Sequence, residues 1–232
     1  VVEPIQRKAR RAEHVYQRMR DDIFAVRLSP GQRLKFTDLC ATYDTSVGVA
    51  REVLVRLAAE HLVVARDQQG YIVVELSESD LLDLTQARLL IEPLVLRESV
   101  LHGDADWETG VVAAHYRLTR IEVPEDMGSA AMEEWSKAHE AFHWAISAAC
   151  PSLRLQTTVA ALRAEAELHH RRWGDALRPT QDRDVCGEHT KITDAALAHD
   201  ADAAAAALRE HISGTADVLL AQLPSAQRHR VP

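Results

Sequence analysis

The sequence predicts a mainly α-helical chain in two modules: a short N-terminal one of three helices and a β-hairpin, then a longer all-helical antiparallel bundle. Three observations carry this. Apolar residues recur at helical spacing through most of the chain, which marks helices with one buried face. Short β-branched runs at residues 62–65 and 71–74 interrupt that pattern. The charge also changes sign along the chain. Residues 1–75 hold 12 Lys/Arg against 10 Asp/Glu (+2), and the remainder holds 15 against 25 (-10), within a total of -8. Halves of opposite sign suggest modules with different partners.

Length and composition allow one or two domains with a substantial core: 232 residues, 47% of them hydrophobic. Three cysteines, Cys40, Cys150 and Cys186, lack CxxC spacing, so neither a disulfide framework nor a cysteine zinc site is implied. No apolar run approaches a membrane span and no signal-peptide core opens the chain, so no membrane partner and a cytoplasmic location are expected.

From Arg10 to Val26, Val15, Met19, Ile23 and Val26 fall at helical spacing, and Ser29-Pro30-Gly31 stops the helix. A second helix is expected from about Thr37 to Tyr43. After a turn at Asp44-Thr45, a third begins with Ser46 or Thr45 as its cap. That helix turns Val49, Val53, Leu54 and Leu57 inward and leaves Arg51 and Arg56 on other faces. The runs Leu62–Ala65 and Tyr71–Val74, joined through Arg66-Asp67-Gln68-Gln69-Gly70, read as a hairpin. Three helices and a hairpin outline a winged helix-turn-helix, whose third helix enters the DNA major groove.

The stretch Leu28-Ser-Pro-Gly-Gln-Arg-Leu34, then Ser46 with Arg51-Glu52-Val-Leu54 and Leu57, then Gly70-Tyr-Ile-Val73, resembles the N-terminal domain of the GntR family of bacterial transcription regulators. The resemblance implies DNA contacts from Ser46, Val47, Gly48 and Arg51 on the third helix, and from Arg66, Gln68, Gln69 and Gly70 on the wing. Where the family usually has a Ser-Arg or Thr-Arg pair, this chain has Ser46-Val47, so the family's operator sequence is not carried over. Arg51 matches the family's second arginine; the alternative for it is a surface salt bridge.

Ser77-Glu-Ser-Asp80 is a capping signal for a new helix carrying Leu81, Leu82 and Leu84. Helical patterns then continue to about Leu223, with breaks at Gly103-Asp104, Val123–Gly128, Pro151-Ser152, Gly174–Thr180 and His199-Asp200. That makes about six helices and no strand, with the alanine run Ala203–Ala207 read as helix. The expected domains are therefore 1–76 for the winged helix-turn-helix and 77–224 for the bundle, with a disordered tail at 225–232.

Within the bundle, Trp135, Ala138, Phe142, Ile146 and Ala149 trace one apolar stripe, and His139 and His143, four apart, share a neighbouring face. His189 and His211 sit in later helices that can pack against this one. Four imidazoles converging in a bundle make a nitrogen-rich metal or ligand site; the alternative is a metal-free polar cavity. His14, His61, His102, His115, His199 and His229 are read as satisfied polar residues. His169-His170 beside Arg171-Arg172 is read as surface charge at a helix end, and Trp144 and Trp173 as core or cavity wall.

This half is similar to the FCD ligand-binding domain of the FadR-type branch. The carrying residues are Asp80-Leu81, Arg88-Leu-Leu-Ile-Glu92, Phe142-His143, Glu188-His189 with Ile192, Ala195 and Ala196, and Asp202 with Ala206 and His211-Ile212. The resemblance implies a divalent metal held by one aspartate and three histidines. His143, His189 and His211 match the histidines, and His139 stands at the aspartate position. Neutral imidazole cancels none of the cation's charge, so an all-imidazole set favours Zn, Ni or Cu over Mg or Ca and leaves a full +2 to attract an anion. Arg88, matching a family arginine, is expected to clamp a small carboxylate effector beside the metal. Glu140 points about a quarter-turn away from the histidine pair.

Together these readings imply a ligand-responsive, homodimeric DNA-binding transcription regulator on a two-fold operator, with Zn or Ni as the metal, and not an enzyme. The alternatives are a metal-dependent enzyme or a metal sensor built on the bundle. His139-Glu140-Ala141-Phe142-His143 has the HExxH spacing, but four protein ligands would close a tetrahedral zinc site.

Overall fold

The computed structural model describes residues 2–66, 69–74, 77–122, 130–172 and 183–222. The expected tail at 225–232, the expected domain ends at Leu76 and Leu223-Pro224, and the residues Gln68, Trp173 and His229 lie outside the described residues. The chain divides into two compact units: Val1–Leu76 with Ala164–Arg172, and Ser77–Arg163 with Trp173–Pro232.

The first unit is a winged helix-turn-helix. Helix α1 (Val2–Phe24) begins earlier than the sequence pattern suggested and buries Ala12, Val15, Met19 and Ile23 along one face. Val26, at φ +58, turns the chain out of the helix. Gly31, at φ +77, then donates its N–H to the Val73 carbonyl at 2.9 Å. This close return starts a two-residue strand, β1 (Arg33–Leu34), which the sequence reading did not anticipate. It pairs antiparallel with β3 (Gly70–Val73), which also pairs with β2 (Val63–Arg66), giving the order β1-β3-β2. Ile72 stands opposite Arg33 on one side and Val64 on the other.

Helix α2 (Phe36–Thr42) buries Leu39, and Asp44, at φ +47, turns the chain toward α3 (Val47–Ala59). Of the two candidate caps, Ser46 takes the role: its Oγ accepts from the Val49 N–H at 3.4 Å. Val49, Val53, Leu54 and Leu57 are buried, as their spacing predicts. Two buried phenols tie the helices together by donating to carboxylates, Tyr43 to Asp22 at 2.5 Å and Tyr16 to Glu60 at 2.6 Å. Burial and the neighbouring Glu60 push the Tyr16 hydroxyl up to about 12.

Among the described residues, six further helices fall between the breaks the sequence marks. All lie in the second unit except the end of the fourth, residues 164–172, which groups with the first. Ser77 caps α4 (Glu78–His102), accepting from the Asp80 N–H at 3.1 Å. Pro93 lies inside α4 and has no N–H to offer the Leu89 carbonyl one turn back. The Arg209 guanidinium donates to that carbonyl instead, at 2.5 Å, so the helix runs on. Asp104 caps α5 (Ala105–Thr119) through the Trp107 N–H at 2.9 Å. Then come α6 (Ala130–Ser147), α7 (Leu153–Arg172), α8 (Val185–Leu197) and α9 (Ala201–Gln222). Helix α4 packs along α9, α8 along α9 and α5 along α6. Leu96, Val111, Phe142, Ile146, Ile192 and Leu208 form the centre of the core. Among the described residues, no helix is long and apolar enough to cross a membrane.

Two sequence expectations are corrected here. Trp144 is 37% exposed, not core, because it projects from the side of α6 opposite Phe142 and Ile146. His169 and His170 are buried rather than surface charge. A run of ring and guanidinium groups reads as solvated, yet the end of α7 belongs to a packed unit.

Candidate functional site

The four histidines meet. His139, His143, His189 and His211 each offer a ring nitrogen, and these four atoms lie within 4.8 Å of one another. Helix α6 supplies the first two from adjacent turns of one face; α8 and α9 supply the others. The Nε2 atoms of His139 and His143 stand 3.1 Å apart. His143, His189 and His211 are buried, and His139 is half-buried. Trp135, one turn before His139, stacks on its ring with centroids 4.7 Å apart and fixes its orientation. Phe142 is fully buried and meets the His143 and His189 rings edge-on, which closes the apolar side.

Burial holds the imidazoles of His143, His189 and His211 neutral. It pushes His143 and His189 well below the ordinary histidine range, and the neighbouring rings and Arg163 or Arg183 add to the effect. Burial also lowers His211, overriding the opposing pull of Glu188. Neutral imidazole is the form that binds a metal. Buried Nδ1 of His143 and Nε2 of His189 have no hydrogen-bond partner among the described residues, and leaving such atoms unmet costs about 1–3 kcal/mol each. Four ring nitrogens gathered within 4.8 Å of one another fit a cation among them. The donor set suits Zn, Ni or Cu.

Around the rings lies a shell of charge that sequence reasoning missed. Glu188 Oε2 accepts from His211 Nδ1 at 2.8 Å, and Arg183 grips the same carboxylate at 2.8 and 2.7 Å. Burial alone would raise the Glu188 carboxyl, but His211 and Arg183 bring it down to about 2. On the other side Glu92, completely buried, takes Arg88 at 2.5 Å and Arg163 at 2.7 Å. Arg163 also donates to the His143 carbonyl at 2.7 Å and to Ser147 Oγ at 3.0 Å. Glu92 and Arg163 sit in helical patterns like any surface charge, and Arg183 stands just before α8. The available signal was adjacency to resemblance-bearing residues: Glu92 closes the Arg88 stretch, and Glu188 precedes His189.

The expected effector residue Arg88 is half-buried, spends one N–H on Glu92, and its charge reaches His211. Glu140 is exposed and stands outside the histidine set.

In the winged unit, Ser46, Val47, Gly48 and Arg51 are exposed on the first turns of α3. Val47 is 50% exposed with no core to cover it. A Cβ on Gly48 would meet nothing closer than Ser46 Oγ at 4.0 Å, so its backbone is open to a close partner. The Arg51 guanidinium lies over the Phe36 ring at 5.6 Å, and among the described residues no carboxylate pairs with it. Arg66, Gln69 and Gly70 are exposed at the hairpin, where Gly70 takes φ +78.

Residues 11–73 match the gntR family of bacterial regulatory proteins, and residues 83–214 match the FCD domain. The chain is 36% identical over 208 residues to the HTH-type transcriptional regulator BphR of Paraburkholderia xenovorans (strain LB400), covering 89% of this chain and 84% of BphR. The chain belongs to the GntR family. It is 32% identical over 199 residues to the HTH-type transcriptional repressor GlaR of Escherichia coli (strain K12), with 85% and 90% of the two chains covered. The fold is shared with a GntR transcriptional regulator from Rhodococcus sp. RHA1 (TM-score 0.71, 24% identity, 92% and 99% covered). It is shared also with E. coli McbR/YncC (TM-score 0.73, 18% identity, 91% and 98% covered). As a GntR-family member with an FCD domain, the protein is a DNA-binding transcriptional regulator.

Proposed function

We propose that this regulator is controlled by a small carboxylate effector bound beside a divalent metal, Zn or Ni, on His139, His143, His189 and His211. The observation that carries the reading is the convergence of four imidazole nitrogens within 4.8 Å, three of them on rings that burial keeps neutral. A metal bound there would supply an uncancelled +2 charge and an anchoring point for an anion. The chain's own residues do the rest. Arg88 orients the carboxylate with the N–H groups that Glu92 leaves open. Phe142 and Trp135 wall off water. Glu92 and Arg163 tie the backbone of α6 to α4 and α7.

In the head, Ser46, Gly48 and Arg51 reach the major groove, and Val47 offers an apolar contact where an arginine is usual. Arg66, Gln69 and Gly70 reach the duplex from the wing, and Gln68 adds a further DNA contact. The protein acts as a cytoplasmic homodimer on a two-fold operator, and effector binding shifts the equilibrium between arrangements of the DNA-binding heads.

A thermal-shift screen of organic acids, run with metal-loaded and chelator-treated protein, tests this reading. Stabilisation by an acid only in the loaded form is expected. Stabilisation by metal alone, with operator affinity following metal, would replace the effector by the metal as signal. Turnover of an acid would replace the regulator reading of this site by an enzyme.

A further inference from the structure

We infer that Glu188, held in place by Arg183, is the positioning residue that fixes His211 as an Nε2 ligand and sets the affinity of the four-histidine site for its metal. The inference rests on the metal reading above. Neutral imidazole exists as two tautomers, and a ring free to flip presents either nitrogen. Here the choice is made. Glu188 Oε2 lies 2.8 Å from His211 Nδ1, so Nδ1 carries the proton and donates it, and Nε2 keeps its lone pair for the ion. Of the site's three buried histidines, His211 is the one whose ring the described residues hold by a carboxylate; Nδ1 of His143 and Nε2 of His189 find none.

The carboxylate is itself aimed. Arg183 meets both its oxygens in a two-pronged pair, at 2.8 and 2.7 Å. The same guanidinium donates to Thr215 Oγ1 at 2.8 Å and to the His211 carbonyl at 3.1 Å, so it is keyed to the helix that carries the ligand. Gly214 leaves the room for this: a Cβ there would stand 3.3 Å from Arg183 Nε. Ring, carboxylate, guanidinium and bare backbone thus form one relay from α9 to α8 and back. Because Arg183 balances Glu188, the relay orients and strengthens the ligand without cancelling the charge that draws an anion.

The test uses the full chain with Zn(II) in competition with a chromophoric chelator, and the visible absorption of the Co(II)-loaded form. Glu188→Gln keeps the shape and removes the charge. A 10–100-fold loss of Zn(II) affinity is expected, with altered Co(II) bands and an unchanged far-UV spectrum of the metal-free protein. Gly214→Ala, which crowds Arg183 without touching Glu188 or any histidine, is expected to move affinity the same way by a smaller factor. Wild-type affinity and Co(II) bands in both variants would overturn the inference while leaving the metal reading intact. If Glu188→Gln does not fold, an unchanged affinity in Gly214→Ala overturns it. Failure of the wild type to take up Zn(II) or Co(II) overturns the metal reading and the inference together.

Discussion

The histidine pocket and the leading face of α3 use polar residues in opposite ways. In the pocket, imidazoles, carboxylates and guanidiniums are withdrawn from water and nearly every one is gripped by another protein group. On α3, Ser46, Val47, Gly48 and Arg51 stand in solvent, and among the described residues Arg51 is braced by the Phe36 ring alone. On the function proposed above, the difference follows from what each region would recognise. A metal and a small anion give few contacts, so their donors must be fixed in advance and out of competition with water. A DNA duplex gives a long row of phosphates and base edges, so exposed donors with reach serve better. Damage to the pocket should therefore act through stability and occupancy, and damage to α3 through affinity alone.

The largest effect is expected at Glu92. Glu92→Ala strands Arg88 and Arg163, and breaking a buried pair of this kind costs about 3–5 kcal/mol, read by urea denaturation. Glu92 also gives the pocket a pH signature. Burial would raise its carboxyl, but the two arginines bring it from 4.5 down to about 2. Its stabilising contribution is complete above about 4.5 and is lost as pH falls toward about 2, a span worth about 3 kcal/mol. Wild-type stability should fall through that window, and Glu92→Gln should flatten the profile.

Next comes ligand loss. His189→Ala is expected to weaken Zn(II) binding roughly 100-fold or more, about 3 kcal/mol, by chelator competition. Arg51→Ala should do the converse: operator affinity drops by about 1–3 kcal/mol in a fluorescence-anisotropy titration, with metal content unchanged. A metal-content change in Arg51→Ala, or none in His189→Ala, would break the contrast between the two regions. The smallest effect belongs to the wing. Gly70→Ala places a Cβ at φ +78 in open space, so about 1 kcal/mol of strain is expected, with no effect on metal uptake.

The two regions also differed in how far they could be read from sequence. The winged unit was legible almost throughout, because helical and strand periods, the Ser46 cap and the Gly70 turn are local signals. Strand β1 escaped because two residues, Arg33 and Leu34, carry no period; β3 defines them. In the bundle, the four histidines were legible because their spacing on α6 and their place in later helices could be matched. Their support was not. Glu92, Arg163 and Arg183 are indistinguishable in sequence from solvated charges. Only tertiary contact reveals that Glu92 is buried between Arg88 and Arg163 and that Arg183 grips Glu188. The same ambiguity hid the burial of His169 and His170 and the exposure of Trp144. The passage of α4 through Pro93 depends on Arg209, a residue more than a hundred positions away.

The central claim is that histidines from three helices share one metal ion. X-ray absorption at the zinc edge of the loaded protein tests it most directly. The account expects one zinc per chain with a shell of imidazole nitrogens at about 2.0–2.1 Å, diminished in His143→Ala and His211→Ala. A shell made of oxygen or sulfur, or a spectrum identical in those two variants, would contradict it.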